Sequence, residues 1–477
     1  MKKKLKFTGL NVDRRVTNLV ILSLMFSIAF FISIALRGYI LENNSLPGKE
    51  AYFSTIVASD ILNFRENPAI SARAVPEVIW PALIAFFSII FRVNEEYSII
   101  ALSLIFGILS LILIYLVIDK LGFKKRNLAI VFFLISPATI WMFATYSKFI
   151  LPFFFALLML YLLLSEKYTL SLIALGITCL FGAVSGISAL AFSLLGFKKG
   201  FWKWFSKGAI VCFLLISLIY FAFPVFPEFS FSFENLFSLF ASLSEFGINL
   251  FAFLLASIGI IITWKERRER KELFSIYLTF TILLVLSVLN KEFIFFFNFI
   301  LIFLAAVGFT KLIERNWASN LIRVLTLMIL IIGMITPMVV IPLRVASLEP
   351  SKEMISALGF LRSQEDGAVL SVKENGYWIK GIGEKEAFVD EFRARANKGL
   401  EEDALDLLKE RNLEKLEKEF GESDIKYVLM DGKTKQLFRT KDEGILLLFL
   451  YTDRFERIYD EGGIEIWKFS REGRGNL

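Results

Sequence analysis

The sequence predicts a polytopic α-helical membrane protein ending in a soluble α/β domain, and three observations carry that expectation. Of its 477 residues, 56% are hydrophobic and 52 are Phe, with a mean hydropathy of +0.63. The apolar residues come in repeated long runs, not in the one-sided stripes of helices on a soluble protein. Near Arg344 the composition shifts, and charged sequence with strand and helix patterning follows to the end.

In chain order, runs able to span a bilayer lie near 17–36, 97–118, 127–145, 149–165, 168–184, 185–197, 207–225, 243–264, 273–289, 292–309 and 319–343. The opening MKKKLKF, followed by Arg14-Arg15, imitates a signal peptide, but no small-residue cleavage site follows, so the first run reads as an uncleaved helix. A further stretch, 77–91, is about 22 Å long at 1.5 Å per residue, short of a ~30 Å hydrocarbon core. It carries Pro81 and lies between Glu77 and Arg92. This stretch decides the topology. Counted as a span, it puts the basic loops 119–127, 198–207 and 265–271 (KERRERK) opposite the basic N-terminus. Left out, it lets those loops and the 311–323 connection share the N-terminal side, as positive-inside bias requires. The expectation is about eleven spans, a cytoplasmic N-terminus and a first outer loop, 37–96, holding a partly embedded helix. A membrane domain, 1–345, then precedes an extracytoplasmic domain, 346–477. Within the latter, 368–372, 427–430 and 464–469 read as strands, 400–420 as helix, and 455–459 with 463–468 as a closing strand pair.

Composition also excludes chemistry. The chain has no His, so every mechanism needing an imidazole base or ligand is out, and carboxylates are the ordinary bases left near neutral pH. Cys179 and Cys212 both fall in apolar runs, which excludes a disulfide framework. The net charge of +7 reads as basic cytoplasmic loops, not as a nucleic-acid footprint.

In the first outer loop, Pro47-Gly48 is a helix start, and Phe53, Ile56, Val57, Ile61 and Phe64 then share one face, as in a helix lying at the membrane interface. Glu50 falls in its first turn at the water boundary, where the helix dipole favours the ionised form; read alone, it either caps the helix or acts there. Just before it, Asn43-Asn44-Ser45 is a glycosylation sequon.

A helix, a long outer loop opening with Gly48, Glu50, Tyr52 and Phe53, and a helix running into a basic inner loop resemble the C-type superfamily of membrane glycosyltransferases (GT-C), which includes oligosaccharyltransferase catalytic subunits and protein O-mannosyltransferases. Ser136-Pro137 with Tyr146-Ser147-Lys148 is similar to that family's second outer loop. Here Lys148 replaces an acidic pair, a pattern nearer the lipid-phosphate users. The resemblance implies Glu50 as base towards the acceptor. It implies Lys148, Lys291, Arg73 and Tyr52 around the lipid phosphate. Glu228, in Phe226-Pro227-Glu228, takes the position that with Glu50 holds a divalent ion, Mg or Mn, in oligosaccharyltransferases; the sequence does not require a metal. Val372-Lys373-Glu374-Asn375-Gly376-Tyr377-Trp378-Ile379, with Val389-Asp390, resembles the frame of the oligosaccharyltransferase acceptor motif without its Trp-Trp-Asp core, which argues against standard N-glycosylation.

The expected activity is thus transfer of a sugar from a polyprenyl or dolichyl (pyro)phosphate, with inversion, to a glycan, lipid or protein acceptor on the outer face. The expected partners are that donor, membrane lipid and the acceptor, with no nucleic acid. Two readings stay open: a non-catalytic GT-C-like scaffold, and a transporter or flippase of lipid-linked saccharides. Against the latter, the sequence shows no repeated halves.

Overall fold

A computed structural model describes residues 5–7, 10–12, 14–40, 42–64, 75–123, 125–196, 201–222, 239–240, 247–264, 271–438 and 443–470. The helical body begins with α1 (Arg14–Ile40), α2 (Lys49–Leu62), α3 (Val75–Phe91) and α4 (Glu95–Lys120). Among the described residues, five helices are long and apolar enough to cross a membrane: Thr17–Tyr39, Glu95–Lys120, Phe201–Phe221, Lys291–Glu314 and Asn320–Ala346. A sixth arises if Arg126–Leu134 and Pro137–Ala144, bent by 57°, count as one. The other apolar helices have 10–17 residues, so at 1.5 Å per residue even the longest is about 25 Å. Among the described residues, the expected eleven runs therefore do not all form helices of full spanning length. The bend falls at Ser136-Pro137, where proline cannot donate to the preceding turn.

Helix 294–314 runs through the centre of this body, buried along most of its length, with Phe296 and Phe297, and Phe293 just before it, fully enclosed. An all-round apolar sequence suits that place. It also needs glycine where it meets helix 250–263. A Cβ on Gly308 would stand 2.0 Å from the Leu255 carbonyl oxygen, and one on Gly259 2.5 Å from that of Leu304. Such close backbone approach is the small-residue mode of packing in lipid, where helices gain nothing by hiding apolar surface from one another. A polar tie fixes the same helix to the bend: Ser136 Oγ donates to Asn298 Oδ1 at 2.6 Å, and Asn298 Nδ2 donates to Thr139 Oγ1 at 3.0 Å.

The C-terminal part is built on a five-stranded sheet of β1 (Ala368–Leu370), β2 (Glu386–Ala387), β3 (Ile425–Met430), β4 (Phe455–Glu461) and β5 (Ile464–Phe469), in the order β2-β1-β3-β5-β4. The first three strands are parallel, and the closing pair is antiparallel about Gly462-Gly463, as the sequence suggests. The expected helix at 400–420 is two helices, Lys398–Lys409 and Leu413–Glu422, the second capped by the Asn412 side chain.

Helix α2 turns much of its apolar stripe towards protein. It packs between α3, α4 and helix Gly376–Gly381 of the C-terminal part, burying Ala51, Tyr52, Ser54, Thr55, Val57 and Ala58. Phe53 lies 5.3 Å from the Tyr377 ring and 6.0 Å from Phe392. An apolar stripe is satisfied equally by lipid or by protein, and the sequence period does not say which. Of the expected stripe, Phe64 lies beyond the helix end and is 96% exposed.

The two parts are joined by Arg37, 2% exposed at the end of α1. Its guanidinium donates to the carbonyls of Ser45 (3.0 Å), Ala346 (2.8 Å), Leu348 and Pro350 (2.9 Å), and to the Ser45 hydroxyl (2.9 Å). Asn43 is drawn into the same joint. It is 4% exposed, its amide donates to the Pro350 carbonyl, and its oxygen accepts from Ser45. The sequon is therefore consumed by folding.

Candidate functional site

Where α2, α3 and the C-terminal part meet, the fold leaves a cavity of about 1120 Å³. Glu50 and Lys49 reach it from the start of α2, Glu77 and Trp80 from α3, and Lys148 from the turn after Pro137–Ala144. Asn290 and Glu292 reach it from the connection into the central helix, and Tyr377, Phe392 and Arg395 from the C-terminal part. Carboxylates outnumber cations on the walls: Glu50, Glu77, Glu292, Glu391, Glu401 and Glu402 against Lys49, Lys148, Lys373 and Arg395. Two pairs close part of the rim, Lys49 with Glu391 and Lys373 with Glu401.

The Tyr146-Ser147-Lys148 turn delivers adjacent side chains to the site. Tyr146 takes a left-handed backbone conformation (φ 55°) and is buried, which turns the chain so that Ser147 bonds Glu50 and Lys148 faces Glu77. Glu50 is open to the cavity, with protein packed around the cavity walls. That enclosure pushes its carboxyl above the ordinary range, against the pull of Lys148 and the Ser147 hydrogen bond and with help from Glu292 and Glu77. Its ionised form is therefore the more basic one.

Lys148 Nζ lies 3.1 Å from Glu77 Oε1 and 3.7 Å from Glu292 Oε1. Burial disfavours its charge, but Glu77, Glu292 and Glu50 outweigh that and raise its pKa, so it stays an ammonium. Burial likewise favours neutral Glu77, and Lys148 with Arg395 overturns it, leaving the acid below its usual range. Arg395 Nη1 stands 3.7 Å from the same Glu77 Oε1. The helix that carries it, Glu391–Ala396, is capped by Asp390, whose carboxylate accepts from the Arg393 N–H at 2.8 Å. Asp390 in turn requires Gly376 beside it, since a Cβ there would sit 2.5 Å from the Asp390 Cβ.

Of the site residues expected from sequence, the fold brings Glu50 and Lys148 to one cavity. Tyr52 is in the packing, 3% exposed, its hydroxyl bonded to Ser45 and to the Leu46 backbone; burial pushes its pKa up to about 12. At Lys291 it is the neighbours Asn290 and Glu292 that line the cavity. Arg73 and Glu228 lie outside the described residues. Among the described residues no group of three acidic or thiol side chains is arranged to hold a metal ion, and Glu50, the described half of the expected pair, faces the Lys148 ammonium. Sequence reasoning missed Glu77, Glu292, Ser147, Tyr377 and Arg395 as site residues. For Glu77 and Glu292 a signal was present, an ionisable residue at the mouth of an apolar run.

No family model matches the chain, and no curated protein matches it in sequence. Solved structures do resemble it. Archaeal oligosaccharyltransferase AglB from Archaeoglobus fulgidus, in complex with an inhibitory peptide and a dolichol-phosphate, is similar with a TM-score of 0.61 at 14% identity, over 96% of this chain and 75% of that one. ArnT from Cupriavidus metallidurans, bound to undecaprenyl phosphate, matches with a TM-score of 0.55 at 13% identity, over 97% and 99%. Arabinofuranosyltransferase AftD from Mycobacteria matches with a TM-score of 0.56 at 13% identity, over 97% of this chain and 40% of that one. The chain shares the fold of these three structures, in keeping with the resemblance of its outer-loop motifs. With its long apolar helices, the chain is a multi-pass membrane protein.

Proposed function

We propose that this chain is a membrane glycosyltransferase that takes a sugar from a polyprenyl phosphate or pyrophosphate and passes it to an acceptor on the outer face. In this reading residues 1–345 form the membrane domain and 346–477 an extracytoplasmic one. The observation that carries the proposal is that Glu50, a carboxyl with raised proton affinity, and Lys148, a fixed ammonium, line one cavity beneath the C-terminal part. Structures of the same fold are described with dolichol-phosphate and undecaprenyl phosphate, which supports a lipid-linked donor.

The chemistry needs few parts. Glu50 takes the proton of the acceptor hydroxyl as its oxygen bonds to the anomeric carbon. The bond from that carbon to the phosphate oxygen breaks, its electron pair leaves with the phosphate, and Lys148 offsets the growing negative charge. Displacement from the face opposite the leaving group inverts the anomeric centre. The altered acceptor frame around Glu374, Asn375 and Gly376 supports an acceptor other than the asparagine sequon.

The test is Glu50→Gln in the full chain, reconstituted in vesicles with polyprenyl-phosphate sugars. A loss of roughly 10²–10⁴-fold in transfer, with lipid binding retained, is expected for a general base. Unchanged transfer removes Glu50 from that role. A second reading, a non-catalytic body with this fold, draws on the pairing of Lys148 with Glu77 and Glu292. It gains if the wild-type chain transfers from no donor.

A further inference from the structure

One oxygen stands out in the cavity. Glu77 Oε1 lies between Lys148 Nζ at 3.1 Å and Arg395 Nη1 at 3.7 Å, so a single carboxylate oxygen bridges two cations that come from opposite walls. That is how a phosphate oxygen is held by a lysine and an arginine. We infer that the Glu77 carboxylate occupies the place of the donor's phosphate, and that Arg395 of the C-terminal part is the second cation of that anion site. The inference rests on the lipid-linked donor proposed above.

Charge balance points the same way. Lys148 faces Glu77, Glu292 and Glu50, Arg395 faces Glu77 and Glu391, and a phosphate added to that set meets net repulsion unless one carboxylate withdraws. Glu77 touches both cations, so its withdrawal frees both at once. The arginine is held independently of it. Tyr377 accepts a hydrogen bond from Arg395, the Arg395 Nε donates to the Glu391 carbonyl at 3.3 Å, and the guanidinium lies 6.0 Å from the centre of the Phe392 ring. When Glu77 swings away, Arg395 stays where a phosphate would find it. Glu77 is thus an internal competitor of the donor. It keeps the anion site closed until a phosphate with more charge and more oxygens arrives.

The experiment measures binding of a polyprenyl monophosphate, and of the matching phosphate-free polyprenol, to the purified full-length protein. Glu77→Gln is expected to tighten binding of the phosphate by about tenfold without changing that of the alcohol, because a neutral amide competes weakly for two cations. Arg395→Gln is expected to weaken phosphate binding by about tenfold and to erase the gain in the double variant. Should Glu77→Gln not fold, Glu77→Asp, whose shorter arm withdraws the oxygen, must shift affinity in the same direction. A wild type that prefers phosphate over alcohol, with Glu77→Gln unchanged or weaker, overturns this inference and spares the donor reading. No preference for phosphate in any form of the protein overturns both.

Discussion

The Phe53 ring lies 5.3 Å from the Tyr377 ring, and this pair fastens the helix that carries Glu50 to the part of the chain that carries Arg395. Both residues also line the cavity, so the same contact builds the site and holds its two halves. Phe53→Ala is expected to weaken the docking by about 2 kcal/mol, the scale of a lost, partly buried aromatic contact. Limited proteolysis across 346–352 should then run more than tenfold faster, and transfer should fall with it. Equal cleavage rates would show that the docking does not depend on this ring.

The Glu50 carboxyl titrates above the ordinary range, so activity that depends on its ionised form must rise with pH through an apparent pKa above that of a free glutamate. Lys148 lowers that pKa and Glu292 raises it. Lys148→Gln should therefore move the acid limb of the rate profile to higher pH, and Glu292→Gln should move it lower. Movement in the opposite directions would detach Glu50 from this electrostatic setting.

Stability follows with its own sign. A carboxyl whose pKa is raised in the fold contributes stability only while protonated, and loses it as pH rises through the folded pKa. Glu50→Gln is expected to melt higher than wild type near pH 7, with the advantage gone below the ordinary glutamate range. A carboxylate that costs stability in its ionised form is a common exchange for function.

Packing of the central helix is tested by two glycines. Gly308→Ala must push its Cβ into the Leu255 carbonyl, and since backbone cannot step aside cheaply the cost is expected at about 3 kcal/mol, read as loss of folded protein in detergent. Gly359, exposed in helix Lys352–Arg362, has nothing within 4 Å of its added Cβ. Alanine there should stabilise by up to about 1 kcal/mol.

Asn298→Leu removes the bond accepted from Ser136 and the bond given to Thr139. Hydrogen bonds inside membrane proteins average about 0.6 kcal/mol each, because the unfolded chain in lipid also finds partners. The expected loss is therefore about 1 kcal/mol, against 2 or more if soluble-protein values applied.

Much of this was legible in the sequence where chemistry and local pattern coincide. Glu50 follows a Pro-Gly helix start, and Tyr146-Ser147-Lys148 follows Ser136-Pro137, so both announced themselves. The run of apolar stretches was equally plain, but not every break in it: 127–145 and 319–343 read as single runs, and Pro137 and Pro337 each open a new helix within them. What stayed hidden depends on contacts between distant segments. Glu77, Glu292 and Arg395 carry no local mark that joins them, and only the crossing of α3, the central helix and the C-terminal part does so. Tyr52 and Phe53 sit one residue apart in a motif, yet one is sealed in packing and the other faces the cavity, because 100° of helical turn separates them.

Arg37 ties the end of the first helix to carbonyls that the ribosome supplies 309 residues later. Until Ala346, Leu348 and Pro350 have been made, the guanidinium has only Ser45 to bond and the cavity lacks its C-terminal wall. A chain still being synthesised therefore cannot present a finished cavity to the lipids around it, and the last long apolar helix acts as the closing stitch of the fold.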